Sequence, residues 1–248
     1  MSSSDKHLQA SLTSLAERIR AAVVHAGRAP ASVTLVAVSK TFPAESVLAL
    51  ARCGQRHFGE NYVQEALAKI AALRPVAAEL SIVWHFIGPI QSNKTRQIAE
   101  HFDWVQSVDR LKIAQRLAEQ RPPQLSPLNV LLQVNISGET SKSGVNVDEL
   151  PALAGAVASL PRLRLRGLMA IPEPDDDPDR QRQPLTAMKR LFDEQRAAGF
   201  TEWDTLSMGM SADLDAAITE GSTMVRVGTA LFGARAPRHE STTAGREG

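Results

Sequence analysis

Apolar residues along the chain follow two alternating rhythms. In the first stretch they recur at three- and four-residue spacing. Leu8, Leu12, Leu15, Ile19 and Val23 mark one face of a helix over 5–26, which Gly27 closes and Pro30 cuts off. A continuous apolar run at 33–38 follows, as expected of a strand buried on both faces in a parallel sheet. The two rhythms then alternate to the end. Helices are predicted over 43–52, 62–73, 92–101, 109–120, 148–159, 184–198 and 212–220. Arg74-Pro75 is expected to end the second of these, and Ser92 and Asp109 to cap the next two. Strands are predicted around 56–58 and over 80–87, 104–108, 130–135, 163–170, 205–208 and 224–228, with a short helical turn after the last.

Strands alternating with helices eight times indicate an α/β fold, a single (β/α)8 TIM barrel, with the extra N-terminal helix covering one end or edge. An open doubly wound sheet is the alternative. Its first turn usually carries a glycine fingerprint, whereas the turn here is Ser39-Lys40-Thr41-Phe42-Pro43. Residues 1–235 are expected to form one domain and 236–248 a polar, disordered tail. The acidic, proline-rich stretch 172–179 is expected to be a solvated, mobile loop.

Bulk properties narrow the function. The 248 residues suit one barrel, and a formal net charge of +1 provides no basic field for nucleic acid. A single cysteine, Cys53, allows no internal disulfide, and zinc-type cysteine pairs are absent. The N-terminus lacks an apolar signal segment and no apolar run is long enough to span a bilayer, so a cytoplasmic protein is expected. The sequons at Asn93 and Asn135 are then chance matches.

In a barrel, chemistry collects at the carboxyl ends of the strands. Lys40 follows strand one, either as an exposed loop lysine or as an amine nucleophile whose pKa is depressed by an apolar floor. Strand two ends in Gly59, Glu60 and Asn61. Strand three brings His85, then Gln91, Asn93 and Lys94, and strand four Ser107 and Asp109. Strand five leads to Asn135, with Glu139 and Lys142 in its loop. The strongest local signal is the pair of loops after strands seven and eight, Ser207-Met208-Gly209-Met210-Ser211 and Arg226-Val227-Gly228-Thr229. Hydroxyls, a close-approach glycine and helix starts there offer donors to a phosphate. Arg226 lies inside a strand and should point into the barrel, paired either with a carboxylate such as Glu60 or with a ligand atom. His85 is a general base or a hydrogen-bonded structural residue. Asn61 bonds a ligand or starts a helix. Gln91, Asn93 and Lys94 line the pocket or reach Asp109, and Arg162, Arg164 and Arg166 form a solvated edge. The Gly138–Gly144 loop lacks the order of a P-loop, so it is not read as a nucleotide site. A lysine nucleophile, a phosphate site and an inward arginine on one face describe a pocket for pyridoxal phosphate (PLP).

These residues carry a family resemblance. Val38-Ser39-Lys40, Phe58-Gly59-Glu60-Asn61-Tyr62, His85-Phe86-Ile87-Gly88 with Gln91-Ser92-Asn93-Lys94, Ser207-Met208-Gly209-Met210-Ser211-Ala212-Asp213 and Gly221–Thr229 resemble the PLP homeostasis proteins, relatives of the barrel half of alanine racemase. The resemblance runs from about Val33 to Arg235. It implies a Schiff base on Lys40, phosphate binding at Ser211, Gly228 and Thr229 with Ser207 nearby, and Arg226 facing the pyridine nitrogen. It also implies PLP, related B6 vitamers and PLP-dependent apoenzymes as partners; the net charge and the lack of a long apolar run argue against nucleic acid and membrane, and a single barrel of this size suits a monomer. An arginine at the ring nitrogen cannot hand over a proton, so carbanion chemistry is not encouraged. The racemases that share this barrel half carry a second domain, and little chain follows Gly228 here. A carrier without robust catalysis is therefore expected, ahead of a racemase-like enzyme or a PLP-free aldolase using Lys40.

Overall fold

The alternation of strand and helix closes on itself. The computed structural model describes residues 3–138 and 143–233. Its eight strands are β1 (Thr34–Val38), β2 (His57–Glu60), β3 (Val83–Phe86), β4 (Trp104–Val108), β5 (Leu128–Gln133), β6 (Leu163–Met169), β7 (Thr205–Ser207) and β8 (Met224–Val227). They pair in parallel in chain order, and β8 returns to β1 with Thr34 opposite Met224 and Val36 opposite Arg226. The helices are α1 (Ser3–His25), α2 (Ala44–Arg52), α3 (Val63–Ala77), α4 (Thr95–His101), α5 (Leu111–Gln120), α6 (Leu150–Ala158), α7 (Pro178–Ala197), α8 (Leu214–Thr219) and α9 (Thr229–Phe232).

Strand alternation divides the apolar residues into two cores. Ala37, Phe58, Trp84, Val105, Val130, Leu132, Leu168, Leu206 and Val225 face the helices and join the main core. Val36, Trp104, Leu131, Met169 and Met224, with Val83 against them, fill the barrel itself as a separate cluster. The parallel strands read as continuous apolar runs because both faces are buried. The N-terminal helix takes a definite place. The last strand is followed only by the four-residue α9, and α1 packs beside α2, α8 and α9, closing the helical ring where β8 meets β1. Arg18 on α1 fixes this arrangement with an ion pair to Asp215 at 2.7 Å.

Several expected boundaries move. Helix α3 runs through Arg74-Pro75 to Ala77, because Leu73 is buried and Val76 and Leu80 pack on the core, holding the turn despite the lost proline N–H. The strand expected over 80–87 shortens to 83–86, with Ser81 at φ 50° turning the chain into it. Ser92 does not cap α4 with its side chain. It opens a short 3-10 turn (Ser92–Lys94), and its carbonyl accepts from Thr95 Oγ1. Asp109 does not cap α5 either, since its carboxylate pairs with Arg110 at 2.6 Å. Helix α7 starts six residues before the predicted 184. Asp177 caps it by accepting from the N–H groups of Asp179 and Arg180, and Pro178 occupies the first turn. Part of the stretch read as a loop is thus helical. Its first turns are polar and show no periodicity, and the buried stripe begins only at Leu185. The tail over 236–248, with Glu139 and Lys142, lies outside the described residues.

Candidate functional site

Lys40 occupies the second position of a tight turn directly after β1. The Phe42 N–H donates to the Ser39 carbonyl at 3.1 Å, and Thr41 at the third position has φ 71°. That conformation suits glycine and strains a β-branched residue, at roughly 1–3 kcal/mol. Buried charge holds the turn in place. Lys69 on α3 donates to the Ser39 carbonyl, to Glu60 Oε1 and to Glu65 Oε1, each at 2.7 Å. Ser39 Oγ donates to Glu60 Oε1 at 2.6 Å, and the Thr41 N–H donates to Glu65 Oε1 at 2.5 Å. Both residues flanking Lys40 are therefore tethered to one cluster. Glu60 is fully buried, and burial raises its pKa against the opposing pull of Lys69 and Ser39. It faces the helices, and Arg226 does not bond it. The half-buried Lys40 itself lies at the barrel mouth.

The neighbouring strand ends close around this turn. Asn61, between β2 and α3, has its Oδ1 buried without a hydrogen-bond partner among the described residues. Its loop rests on Gly88, where a Cβ would come within 2.3 Å of the Asn61 carbonyl oxygen. Beyond β7, Gly209 has φ 97°, and a Cβ there would meet Ala217 at 2.5 Å. The Met210 N–H donates to Asp213 Oδ1 at 2.6 Å, shaping the loop that carries Ser211. The Ser211 carbonyl accepts from Arg18 of α1 at 3.1 Å. Gly228 follows β8 and lies against the end of β1: a Cβ on it would sit 3.2 Å from the Val38 carbonyl oxygen. Thr229 is exposed at the start of α9. Phe232 of α9 stacks on Phe42, ring centroids 4.7 Å apart, clamping the Lys40 turn to the loop after β8.

Arg226 points into the barrel, as alternation predicts. Its Nη1 donates to Ser207 Oγ at 2.5 Å and its Nη2 to the Ala170 carbonyl at 2.7 Å. Burial lowers its pKa to about 10, with the Asp213 charge acting in the opposite sense, so it is charged at neutral pH. Ser207 is fully buried beside it and donates onward to Gln106 Oε1 at 2.7 Å. Gln106 Nε2 lies 2.9 Å from His85 Nδ1, and His85 Nε2 lies 2.9 Å from His57 Nδ1. His85 also stacks on Trp104, over which Arg166 lies at 4.9 Å. Burial, then His57, pushes the His85 pKa well below the usual imidazole range, and burial lowers that of His57.

The sequence candidates thus separate. Lys40, Asn61, Ser211, Gly228 and Thr229 ring the carboxyl end of the barrel, with Ser207 and Arg226 in its interior. His85 is a structural member of the interior chain rather than a base at the mouth. Asp109 is paired with Arg110 rather than with Lys94. Arg166 is part of the fold rather than a solvated edge, paired with Asp204 and closing over Trp104. Lys69, Glu65, Gln106 and His57 join the site from outside the sequence candidates. One signal existed for Lys69, which interrupts the stripe of Val63, Ala66 and Leu73 on α3. Another existed for Gln106, two residues after Trp104 and so on the same face of β4.

Residues 10–236 match the family model described as the alanine racemase N-terminal domain. The chain is 61% identical over 224 residues to a pyridoxal phosphate homeostasis protein of Pseudomonas aeruginosa, covering 90% of this chain and 94% of that one. It is 54% identical to the Escherichia coli K12 protein of the same name, covering 90% and 95%. Among solved structures it resembles PipY of Synechococcus elongatus with PLP bound, with TM-score 0.79 and 35% identity over 91% of this chain and all of that one. An alanine racemase from Corynebacterium glutamicum shares the fold at TM-score 0.64 and 20% identity, over 95% of this chain and 63% of that one.

Proposed function

We propose that this chain, which belongs to the pyridoxal phosphate homeostasis proteins of the alanine racemase N-terminal domain family, holds PLP as a Schiff base on Lys40 and serves as an intracellular reservoir or carrier. The observation that carries the reading is the turn of Lys40, tethered on both sides by a buried charge cluster and clamped against the loop after β8. A PLP relative at 35% identity supports the ligand, and near end-to-end likeness to homeostasis proteins supports the role.

The residues present suit the group chemically. The unpartnered buried Oδ1 of Asn61 is an acceptor that a ring hydroxyl would satisfy. Ser211 and Thr229 supply hydroxyls for the phosphate, and Gly228 lets the backbone approach it. PLP supplies an aldehyde for the lysine amine and a ring that withdraws electrons. Arg226 would limit that withdrawal: a guanidinium offers only N–H donors, so it could donate to a ring nitrogen but would not favour its protonation. Ser207, occupied by Arg226 and Gln106, would hold Arg226 rather than the phosphate.

Among the described residues no helix is long and apolar enough to cross a membrane and no cluster suits a metal ion. We place the protein in the cytoplasm as a monomer exchanging PLP with PLP-dependent apoenzymes. A racemase-like activity is the second reading, supported by the shared fold. Purified protein incubated with PLP and single amino acids decides between them. The carrier reading expects a visible band and no enzyme-like racemisation. Turnover lost in Lys40→Ala would overturn it.

A further inference from the structure

Barrel interiors are usually filled by branched apolar side chains. Here an apolar layer of Val36, Trp104, Leu131, Met169 and Met224 is accompanied by buried Arg226, Ser207, Gln106 and His85. Each of these four finds a partner, which is the condition for burying it without a large penalty. Resting on the PLP reading of the site, we propose that Gln106 is a positioning residue for the cofactor ring, acting through Ser207 to hold the Arg226 guanidinium toward the ring nitrogen.

Hydrogen-bond direction carries the argument. Arg226 can only donate, so Ser207 Oγ accepts from Nη1. The single hydroxyl hydrogen of Ser207 then needs an acceptor, and Gln106 Oε1 is that acceptor. Rotating the amide by half a turn would place two donors on Ser207 and strand its own hydrogen in the core. Gln106 Nε2 therefore faces His85 Nδ1, which must accept, and also contacts Met224 Sδ at 3.1 Å. His85 carries its proton on Nε2 and donates it to His57 Nδ1. An end that can only donate thus orders five side chains, on β8, β7, β4, β3 and β2. The two histidines fix the Gln106 amide, and the amide fixes the serine lone pair that seats Arg226. Of the charged groups around it, Asp213 acts on Arg226 from the loop after β7, and the histidines are held neutral by burial. The described residues take two of the five guanidinium N–H groups.

The test uses the full chain in two states. Without PLP, nitrogen-15 NMR of the imidazoles should show His85 protonated at Nε2 with Nδ1 accepting, and Gln106→Leu should mix its tautomers. With PLP, the visible band of the wild type should hold its position between pH 6 and 9. Gln106→Leu should add a titration step as the ring nitrogen becomes protonatable, with PLP binding about tenfold weaker, the size of one lost charge-assisted hydrogen bond. Gln106→Glu keeps an oxygen toward Ser207 and should keep the band invariant, while the His85 tautomer reverses, because the second carboxylate oxygen facing Nδ1 can only accept. Ser207→Ala should reproduce the Leu phenotype and carries the test if Gln106→Leu does not fold. A Gln106→Leu protein with lowered melting temperature but an unchanged titration and affinity would overturn the proposal alone. Failure of the wild type to take up PLP would overturn the functional reading and this proposal with it.

Discussion

Removing the Lys69 ammonium tests how the Lys40 turn is built. Lys69→Met keeps the aliphatic stem but deletes three bonds of 2.7 Å and leaves Glu60 with only the Ser39 hydroxyl. An unpaired carboxylate at full burial costs several kcal/mol, and breaking buried pairs typically destabilises by about 3–5 kcal/mol. Here Glu60 can escape by taking up a proton, and that limits the loss. Relative to an unfolded carboxyl at the ordinary 4.5, protonation costs about 1.36 kcal/mol per pH unit, or roughly 3.4 kcal/mol at pH 7 and about 0.7 at pH 5. The lost bonds to Ser39 and Glu65 add about 1 kcal/mol at either pH. Lys69→Met should therefore lose about 4.4 kcal/mol at pH 7 and about 1.7 kcal/mol at pH 5, read from urea unfolding at the two pH values. Adding Glu60→Gln should recover most of the loss at pH 7, since an amide needs no counter-ion. Equal losses at both pH values, or a double variant no better than the single, would refute the reasoning.

Other expectations follow from the same geometry. Both His57 and His85 have lowered pKa values, so the unfolded chain binds their protons more readily than the fold does. Their contribution is complete above about pH 6.5 and declines as pH falls below it, by up to about 1.4 kcal/mol per pH unit for each histidine. Urea midpoints should fall from pH 7 toward pH 5, and His57→Asn should flatten the slope. Gly88→Ala places a Cβ 2.3 Å from the Asn61 carbonyl oxygen, so it should destabilise by about 1–3 kcal/mol and weaken PLP binding in a titration. Asp177→Ala removes a cap that satisfies two N–H groups of α7 and should cost about 1 kcal/mol in the melt, leaving PLP binding unchanged.

The barrel was legible because parallel strands buried on both faces are mostly apolar and the helices between them carry an apolar stripe. The run at 33–38 and the stripe from Leu8 to Val23 are such signals. Boundaries were less legible where packing overrides local rules. Pro75 lies inside α3 because its neighbours are buried, and α7 starts at Pro178 on a polar turn without periodicity. The placement of Lys40, Gly228 and Arg226 at the strand ends followed from the fold. Their supports did not, because Lys69 with Glu60, and Gln106 with Ser207, are paired across elements far apart in sequence. Of the two partners the sequence leaves open for Arg226, a carboxylate such as Glu60 or a ligand atom, Glu60 is excluded: alternation along β2 turns it outward toward α3, and a serine and a backbone carbonyl accept from Arg226.

Covalent attachment of PLP at Lys40 is the step on which the proposed function rests. Borohydride reduction of the PLP-loaded protein, followed by intact-mass analysis and peptide mapping, tests it most directly. One reduced pyridoxyl phosphate per chain, on the peptide containing Lys40 and absent from Lys40→Ala, is the predicted result. Label on another lysine, or an unmodified mass from protein shown to bind PLP, would contradict the account.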